Sequence, residues 1–360
     1  MFRFRRNGTC SRGLGGSVIT PAGFALICLV AAAASLALNR LLAPLLARYA
    51  LAPPNARSSH KVPTPQGGGI AVVAAVFLAM LAASQLPGAD ARTLVALWPV
   101  AAGVLLLAAT GACDDVFHLP VGPRLVLQLV ATAAVLAALP DEARVVPPLP
   151  WWIERAALLI AGVYLVNVVN FMDGLDWMTA AEVVPVTAAL WIAALLGALS
   201  PPDAALAVAV LGAMLGFAPF NRPVARLFLG DVGSLPLGLL LFWLLAQLAA
   251  NGHLAAALLL PLYYVADATV TLIRRLARGE NVLRAHRTHF YQRATDLGFS
   301  VTEVVARVFA VNVVLAALAL GAVSAPSASV GIAALALGGA VVAGLLVHFS
   351  RQKSGTRHQE

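Results

Sequence analysis

The sequence predicts an all-α integral membrane protein, a polytopic bundle of about 10–11 transmembrane helices. Three observations predict it. Hydrophobic residues make up 61% of the 360 residues and charged residues only 11%, with a mean hydropathy of +0.87. That balance excludes a soluble globular domain. Apolar stretches of roughly 17–25 residues, long enough to cross a hydrocarbon core, recur about eleven times. These stretches are rich in Leu, Ala, Val and Gly and do not alternate polar with apolar, which excludes outer-membrane strands of about ten residues.

In order, the apolar windows predict spans over roughly 20–43, 68–86, 94–113, 122–139, 154–170, 178–199, 203–220, 235–251, 254–275, 302–323 and 327–349. Residues 1–19 then form a basic N-terminal tail, 20–349 one polytopic domain and 350–360 a cytoplasmic tail. If the loop at 44–66 is cytoplasmic, the loops at 113–122, 170–178, 220–234 and 276–301 share its side. Most loop arginines and lysines fall there, whereas the opposite loops hold little beyond Arg92, Arg144 and Arg155. The positive-inside rule supports this orientation. Arg3, Arg5, Arg6 and Arg12 oppose it, unless translation starts downstream near Val18. A signal peptide with an apolar core at 24–34 is less economical, because the apolar run continues to Ala43. The Pro-rich stretch 140–150 reads as an external loop, and no internal repeat is evident.

Cys10, Cys28 and Cys113 are odd in number and scattered, which supports neither a disulfide framework nor a zinc site. The net charge of +8 is explained by basic loops between spans. Nucleic-acid binding is therefore not expected.

Charged groups are costly at membrane depth, so the placement of the sixteen acids is informative. Asp114, Asp115, Asp173, Asp176, Asp231 and Asp267 fall within or just beyond the ends of spans on the side assigned to the cytoplasm. Each alone could cap a helix or pair with an arginine. Six together, interleaved with arginines, suggest a metal-assisted phosphate site. Mg²⁺ takes one or two carboxylates and shares the substrate's phosphates, while arginine suits the remaining phosphate oxygens. A cation transporter would place such acids nearer the bilayer midplane.

Five segments occur in order in the loops assigned to the cytoplasm: PPNARSSHKVPTPQGGG at 53–69, CDD at 113–115, NVVNFMDGLD at 167–176, FNRPVARLFLGDVGS at 220–234 and HRTHFYQR at 286–293. Their order and content resemble the polyprenyl-phosphate N-acetylhexosamine-1-phosphate transferases, a group related to phospho-MurNAc-pentapeptide translocase. The resemblance covers about residues 50–300. It implies transfer of an N-acetylhexosamine-1-phosphate from a UDP-sugar to undecaprenyl phosphate, with release of UMP and a requirement for Mg²⁺, for which Mn²⁺ could substitute. It also implies a bacterial inner-membrane enzyme whose active site faces the cytoplasm and which begins lipopolysaccharide or cell-wall glycan assembly. A homodimer is left open.

The resemblance assigns roles residue by residue. Asp231 matches the metal-binding Asp, Asn170 a second metal-proximal position, and Gly230 a backbone approach to the pyrophosphate. Asp114 and Asp115 match the pair that handles the lipid phosphate. A phosphate monoester is largely ionised near neutral pH, so neither needs to act as a base. Asp173 and Asp176 match the acids of DGxDG, in which Trp177 here replaces the final glycine. Phe228 matches an aromatic that stacks on uracil. Arg287 and His289 match the basic loop, where Tyr291 and Gln292 replace further histidines. Asn55, Arg57, His60 and Lys61 match a motif that binds phosphate. Gly174 reads as a backbone requirement, and Asp267 as half of an ion pair with the nearby Arg274. The sugar is open between N-acetylglucosamine and 6-deoxy relatives such as QuiNAc and FucNAc. A transporter or lipid-carrier permease is the alternative from another class, and a noncatalytic scaffold the third.

Overall fold

The computed structural model describes residues 19–52, 63–87, 97–281 and 286–353. It is almost wholly helical. In chain order, α1 is Pro21–Tyr49, α2 Gly69–Ala83, α3 Trp98–Phe117, α4 Val121–Ala137, α5 Trp151–Met172, α6 Met178–Leu195 and α7 Pro201–Phe217. There follow α8 Asp231–Ala250, α9 Leu254–Leu259, α10 Leu262–Ala277, α11 Phe290–Asp296, α12 Val301–Ser324 and α13 Ala328–Phe349. The strands β1 (Leu51–Ala52) and β2 (Thr64–Pro65) pair antiparallel beside the end of α1.

Among the described residues, seven helices are long and apolar enough to span a membrane: α1, α3, α5, α6, α8, α12 and α13. Three shorter apolar helices, α2, α4 and α7, complete the bundle. This is the all-α polytopic architecture that the composition predicts. The span expected over 254–275 is instead broken between α9 and α10, where Pro261 cannot donate a backbone hydrogen bond.

Helix α8 is the centre. It is apolar all round and buried along almost its whole length, as expected of a helix with no solvent or lipid face. It packs on α3 and α5, while α1 packs on α7 and α2, and α6 on α7 and α12. Small residues let the backbones close in. A Cβ on Gly111 of α3 would lie 2.2 Å from the Asp231 carbonyl oxygen, and one on Gly69 of α2 would lie 2.2 Å from the Gly233 Cα. Buried polar pairs add specific links between helices: Asn167 of α5 donates to Gln128 of α4 at 2.6 Å, and Asn312 of α12 to Glu182 of α6 at 2.7 Å.

Several helix ends differ from expectation. Helix α1 runs through Pro44 to Tyr49, with Leu46 buried beside the space left by Gly67. Helix α3 continues past Asp114 and Asp115 to Phe117 and stops only at His118, which takes a left-handed conformation before Pro120. The two aspartates therefore sit on a helix, not in a loop. Helix α8 starts at Asp231, before the expected start of that span. The Pro-rich stretch folds back on α5: Glu154 accepts from Arg144 Nε at 2.9 Å and from the Val145 N–H at 2.8 Å.

Candidate active site

The site is built on the first turn of α8. A helix start leaves backbone N–H groups without intrahelical partners. Asp115, 116 residues earlier in the chain, takes two of them: its carboxylate accepts from the N–H of Asp231 at 3.0 Å and of Val232 at 3.1 Å. The positive end of the helix dipole favours the anion there. Gly230, with φ of 77°, turns the chain into the helix, and a Cβ on it would fall 2.6 Å from Asp115 Oδ2.

Asp114 lies in the same turn of α3. It accepts the Leu119 N–H at 2.7 Å and a hydrogen bond from Arg124 of α4. The same guanidinium lies 3.6 Å from Asp231 Oδ2. Asn170, in the last turn of α5, donates to Asp231 Oδ1 at 2.7 Å and to Ser234 Oγ at 2.9 Å. Four helices thus converge on Asp231: α3, α4, α5 and α8.

A second set of contacts joins the turn 173–177 to the loop 218–230. Asp173 caps α5 and accepts from Thr179. Its desolvated setting, reinforced by the charges of Asp115 and Asp176, pushes its carboxyl up to about 7. Asp176 accepts the Ala225 N–H at 2.9 Å. Trp177 occupies the left-handed region with φ of 63°, a conformation that suits the glycine it replaces. Its N–H donates to Asn221 Oδ1 at 2.8 Å and its indole to the Ala218 carbonyl at 2.6 Å. Asn221 in turn donates to the Leu227 carbonyl at 3.1 Å. The backbone of Phe228 joins the end of the first motif: its N–H donates to Pro65 at 2.8 Å, and its carbonyl accepts from Gly67 and Gly68 at 3.1 and 2.9 Å.

The fifth motif is held separately. Asp267 of α10, 0% exposed, accepts the N–H groups of Phe290 and Tyr291 at 3.0 and 3.1 Å and caps α11. It also lies 3.2 Å from His289 Nδ1. The expected Asp267–Arg274 ion pair is therefore corrected: its partners are His289 and two backbone groups. Arg274 instead lies 5.1 Å over the Phe290 ring. His289 is 2% exposed and stacks on His286, with centroids 4.9 Å apart. Arg287 pairs with Asp296 at 2.9 Å. Gly174 also differs from expectation. What it supplies is space, since a Cβ there would lie 2.2 Å from the Tyr291 hydroxyl, which donates to the Phe171 carbonyl at 3.0 Å.

Asp114, Asp115, Asn170, Gly230 and Asp231 are thus brought together directly, and Asp173, Asp176 and Phe228 are carried on the elements tied to them. Asn55, Arg57, His60 and Lys61 lie outside the described residues. Sequence reasoning missed Arg124. Its signal was available as an arginine ten residues after Asp114, at the start of the next span. It also missed Asn221 and Gln66, although both stand inside quoted motifs; Gln66 donates to the Asp115 carbonyl at 3.0 Å.

Among the described residues no group of three or more His, Cys, Asp or Glu side chains is set to hold a metal. Mg²⁺ needs fewer, because water and substrate phosphates complete its octahedron. Asp231, 27% exposed, with a carboxylate neighbour in Asp114, fits that donor chemistry. Asn170 presents its amide nitrogen to Asp231, so it orients that carboxylate here; its amide oxygen lies at the other end of the group.

Comparison with known proteins agrees with this architecture. Residues 97–249 match glycosyl transferase family 4. That segment runs from the start of α3 to the end of α8, the part that builds the Asp231 cluster. The chain is 28% identical to the decaprenyl-phosphate N-acetylglucosaminephosphotransferase of Mycolicibacterium smegmatis, over 83% of this chain and 80% of that protein. It is 25% identical to a probable undecaprenyl-phosphate N-acetylglucosaminyl 1-phosphate transferase of Bacillus subtilis, over 69% and 70%. It is also 29% identical to a phospho-N-acetylmuramoyl-pentapeptide-transferase of Limosilactobacillus reuteri, over 46% and 54%. Over residues 97–249 the chain is thus similar to glycosyl transferase family 4, and it is a transferase enzyme built on membrane-spanning helices.

Proposed function

We propose that the protein transfers an N-acetylhexosamine-1-phosphate from a UDP-sugar to a polyprenyl phosphate, undecaprenyl phosphate in the simplest case, and releases UMP. The observation that carries this reading is the convergence of Asp114, Asp115, Asn170 and Arg124 on Asp231 at the start of the central helix. The family and the names of its relatives support it.

The reaction brings two anions together. An oxygen of the lipid phosphate attacks the sugar-bound phosphorus, the bond to the bridging oxygen of the diphosphate breaks, and UMP leaves with the electron pair. Asp231, with Asp114 beside it, would hold a Mg²⁺ ion, which when bound would supply charge neutralisation for the two phosphates and the leaving UMP. The protein's own groups do the rest. Arg124 sits between Asp114 and Asp231, where its remaining N–H donors can meet phosphate oxygens. Asp115 holds the start of α8 and so fixes Asp231. Asp173 and Asp176 shape the turn facing the nucleotide, and Phe228 offers a ring to uracil. Arg287 serves a phosphate by exchanging its Asp296 partner for it, and His289 by turning Nε2 toward it while Nδ1 stays on Asp267. Asn55, Arg57, His60 and Lys61 contribute further phosphate contacts. The site faces the cytoplasm of the inner membrane, where UDP-sugars are available, and the product begins a lipid-linked glycan of the O-antigen or cell-wall type.

Purified protein given labelled UDP-N-acetyl sugars, undecaprenyl phosphate and Mg²⁺ is expected to yield UMP and a lipid-soluble sugar. A competition among UDP-N-acetylglucosamine and its 6-deoxy relatives identifies the donor. Uptake of substrate into vesicles with no UMP release would favour the permease instead.

A further inference from the structure

Between α10 and α13 lies a cleft of about 380 Å³ that the transfer reaction does not use. Val270, Phe290, Leu346 and Val347 form apolar walls, and Ser350 and Arg351 stand at one end. That end carries three further arginines. Arg274 lies over the Phe290 ring that walls the cleft, Arg278 follows one helical turn later, and Arg293 lies one turn beyond Phe290 on α11. Arg278 and Arg293 are both within electrostatic reach of Arg274.

Among the described residues no carboxylate forms an ion pair with these three arginines. Their neighbours are all matched: Arg275 with Glu280 at 2.8 Å, Arg287 with Asp296 at 2.9 Å and Lys353 with Glu303 at 2.8 Å. Glu280, already paired with Arg275, also lies within electrostatic reach of Arg278, yet three guanidiniums sharing part of one carboxylate still repel one another, and an anion that joins them relieves that repulsion. The apolar walls below restrict what that anion is. A soluble phosphate leaves the cleft empty, whereas a lipid places its phosphate on the arginines and an acyl chain along Val270, Leu346 and Val347.

We infer that this cleft binds an anionic glycerophospholipid of the surrounding leaflet. A zwitterionic headgroup brings its own ammonium and offsets part of the attraction, so a headgroup with net negative charge is preferred. Polyprenyl phosphate is the less apt occupant, since the cleft lies on the α13 side of α10 while the Asp231 cluster is built on α3, α4, α5 and α8. The bound lipid braces α11, which begins next to His289, against α10 and α13. Lipid binding is read without turnover, so this inference stands or falls separately from the transfer reaction.

The test is native mass spectrometry of the full-length protein in detergent, titrated with phosphatidylglycerol, phosphatidylcholine or undecaprenyl phosphate. Wild type is expected to retain phosphatidylglycerol at least about tenfold better than phosphatidylcholine. The triple variant Arg274→Gln, Arg278→Gln, Arg293→Gln removes the charge, and Ala343→Trp, at an α13 residue that also lines the cleft, fills it with all charges kept. Both are expected to lose the preference, and Arg48→Gln, at the end of α1, to keep it. Equal retention of the two phospholipids by wild type overturns the inference without recourse to any variant. So does undiminished preference in both cleft variants, or the loss of undecaprenyl phosphate, in place of phosphatidylglycerol, from both.

Discussion

Asp115 and Asp267 do the same structural work in two regions of the molecule. Each is a helix-borne carboxylate that accepts the first two N–H groups of another helix, α8 for Asp115 and α11 for Asp267. Their surroundings differ. Asp267 is fully buried, and its other neighbours, Tyr263, Thr271 and His289, lie within 3.2–3.4 Å. Asp115 stands beside Asp114, Asp231 and Arg124, a set with two carboxylates and one guanidinium partly open to solvent. A capping aspartate is therefore no sign of chemistry in itself. What separates the reaction site from the brace is the charged, partly exposed company around the cap.

Substitutions at these two regions should separate chemistry from structure. The largest loss is expected for Asp231→Ala, a fall in turnover at least on the order of a thousandfold, read as UMP release. Its thermal stability in detergent should stay near that of wild type. Asp267→Ala should do the reverse and act first on stability. It strands two backbone donors and a buried histidine, at a cost of about 3–5 kcal/mol, and should lower the melting temperature and yield of folded protein. A stable, inactive Asp267→Ala would place Asp267 in the chemistry and remove the distinction.

Arg124→Gln should reduce turnover by about 10–100-fold, because Asp114 and Asp231 then lose the cation between them. Retained wild-type rates would show that Arg124 only anchors α4. Gly174→Ala should lower activity through a clash with the Tyr291 hydroxyl, and adding Tyr291→Phe should restore part of it by removing the clashing atom. Failure of that rescue would mean that Gly174 serves the backbone instead.

The smallest effect concerns pH. Asp173 has its carboxyl raised to about 7, above an unfolded value near ~4. Its anion therefore accumulates only as pH climbs through about 7, and turnover that uses the anion should rise over that interval. Stability runs in the opposite direction. A raised carboxyl favours the protonated folded state, so stability should fall as pH rises from ~4 to ~7. Asp173→Asn should flatten both profiles. An unchanged rate profile would assign the pH dependence elsewhere.

The class of fold was legible because hydropathy is a property of composition and run length. Helix ends were less so. Nothing local marks Asp114 and Asp115 as helical, since the breaker is the conformation of His118 and the proline after it. The order of motifs pointed to Asp231, but the partners of each acid depend on which helices adjoin. Asp115 meets α8 only because Gly230 has no side chain in its way. Asp267 looked like a match for Arg274 from spacing alone, yet the start of α11 supplies more donors than one arginine. Trp177 is the reverse case. The sequence flagged it as a departure, and the structure keeps a glycine-like backbone there through Asn221 and the Ala218 carbonyl.

The central claim is that the acids around the start of α8 form one site for sugar-phosphate transfer. The most direct test labels the phosphorus next to the sugar in the UDP-sugar and follows it in wild type and Asp231→Asn, with undecaprenyl phosphate and Mg²⁺ present. The expected result is label in the lipid fraction with equimolar UMP for wild type, and neither for the folded variant. Label that stays in the aqueous phase across the panel of UDP-N-acetyl sugars, or an Asp231→Asn protein that transfers it at the wild-type rate, would contradict the account.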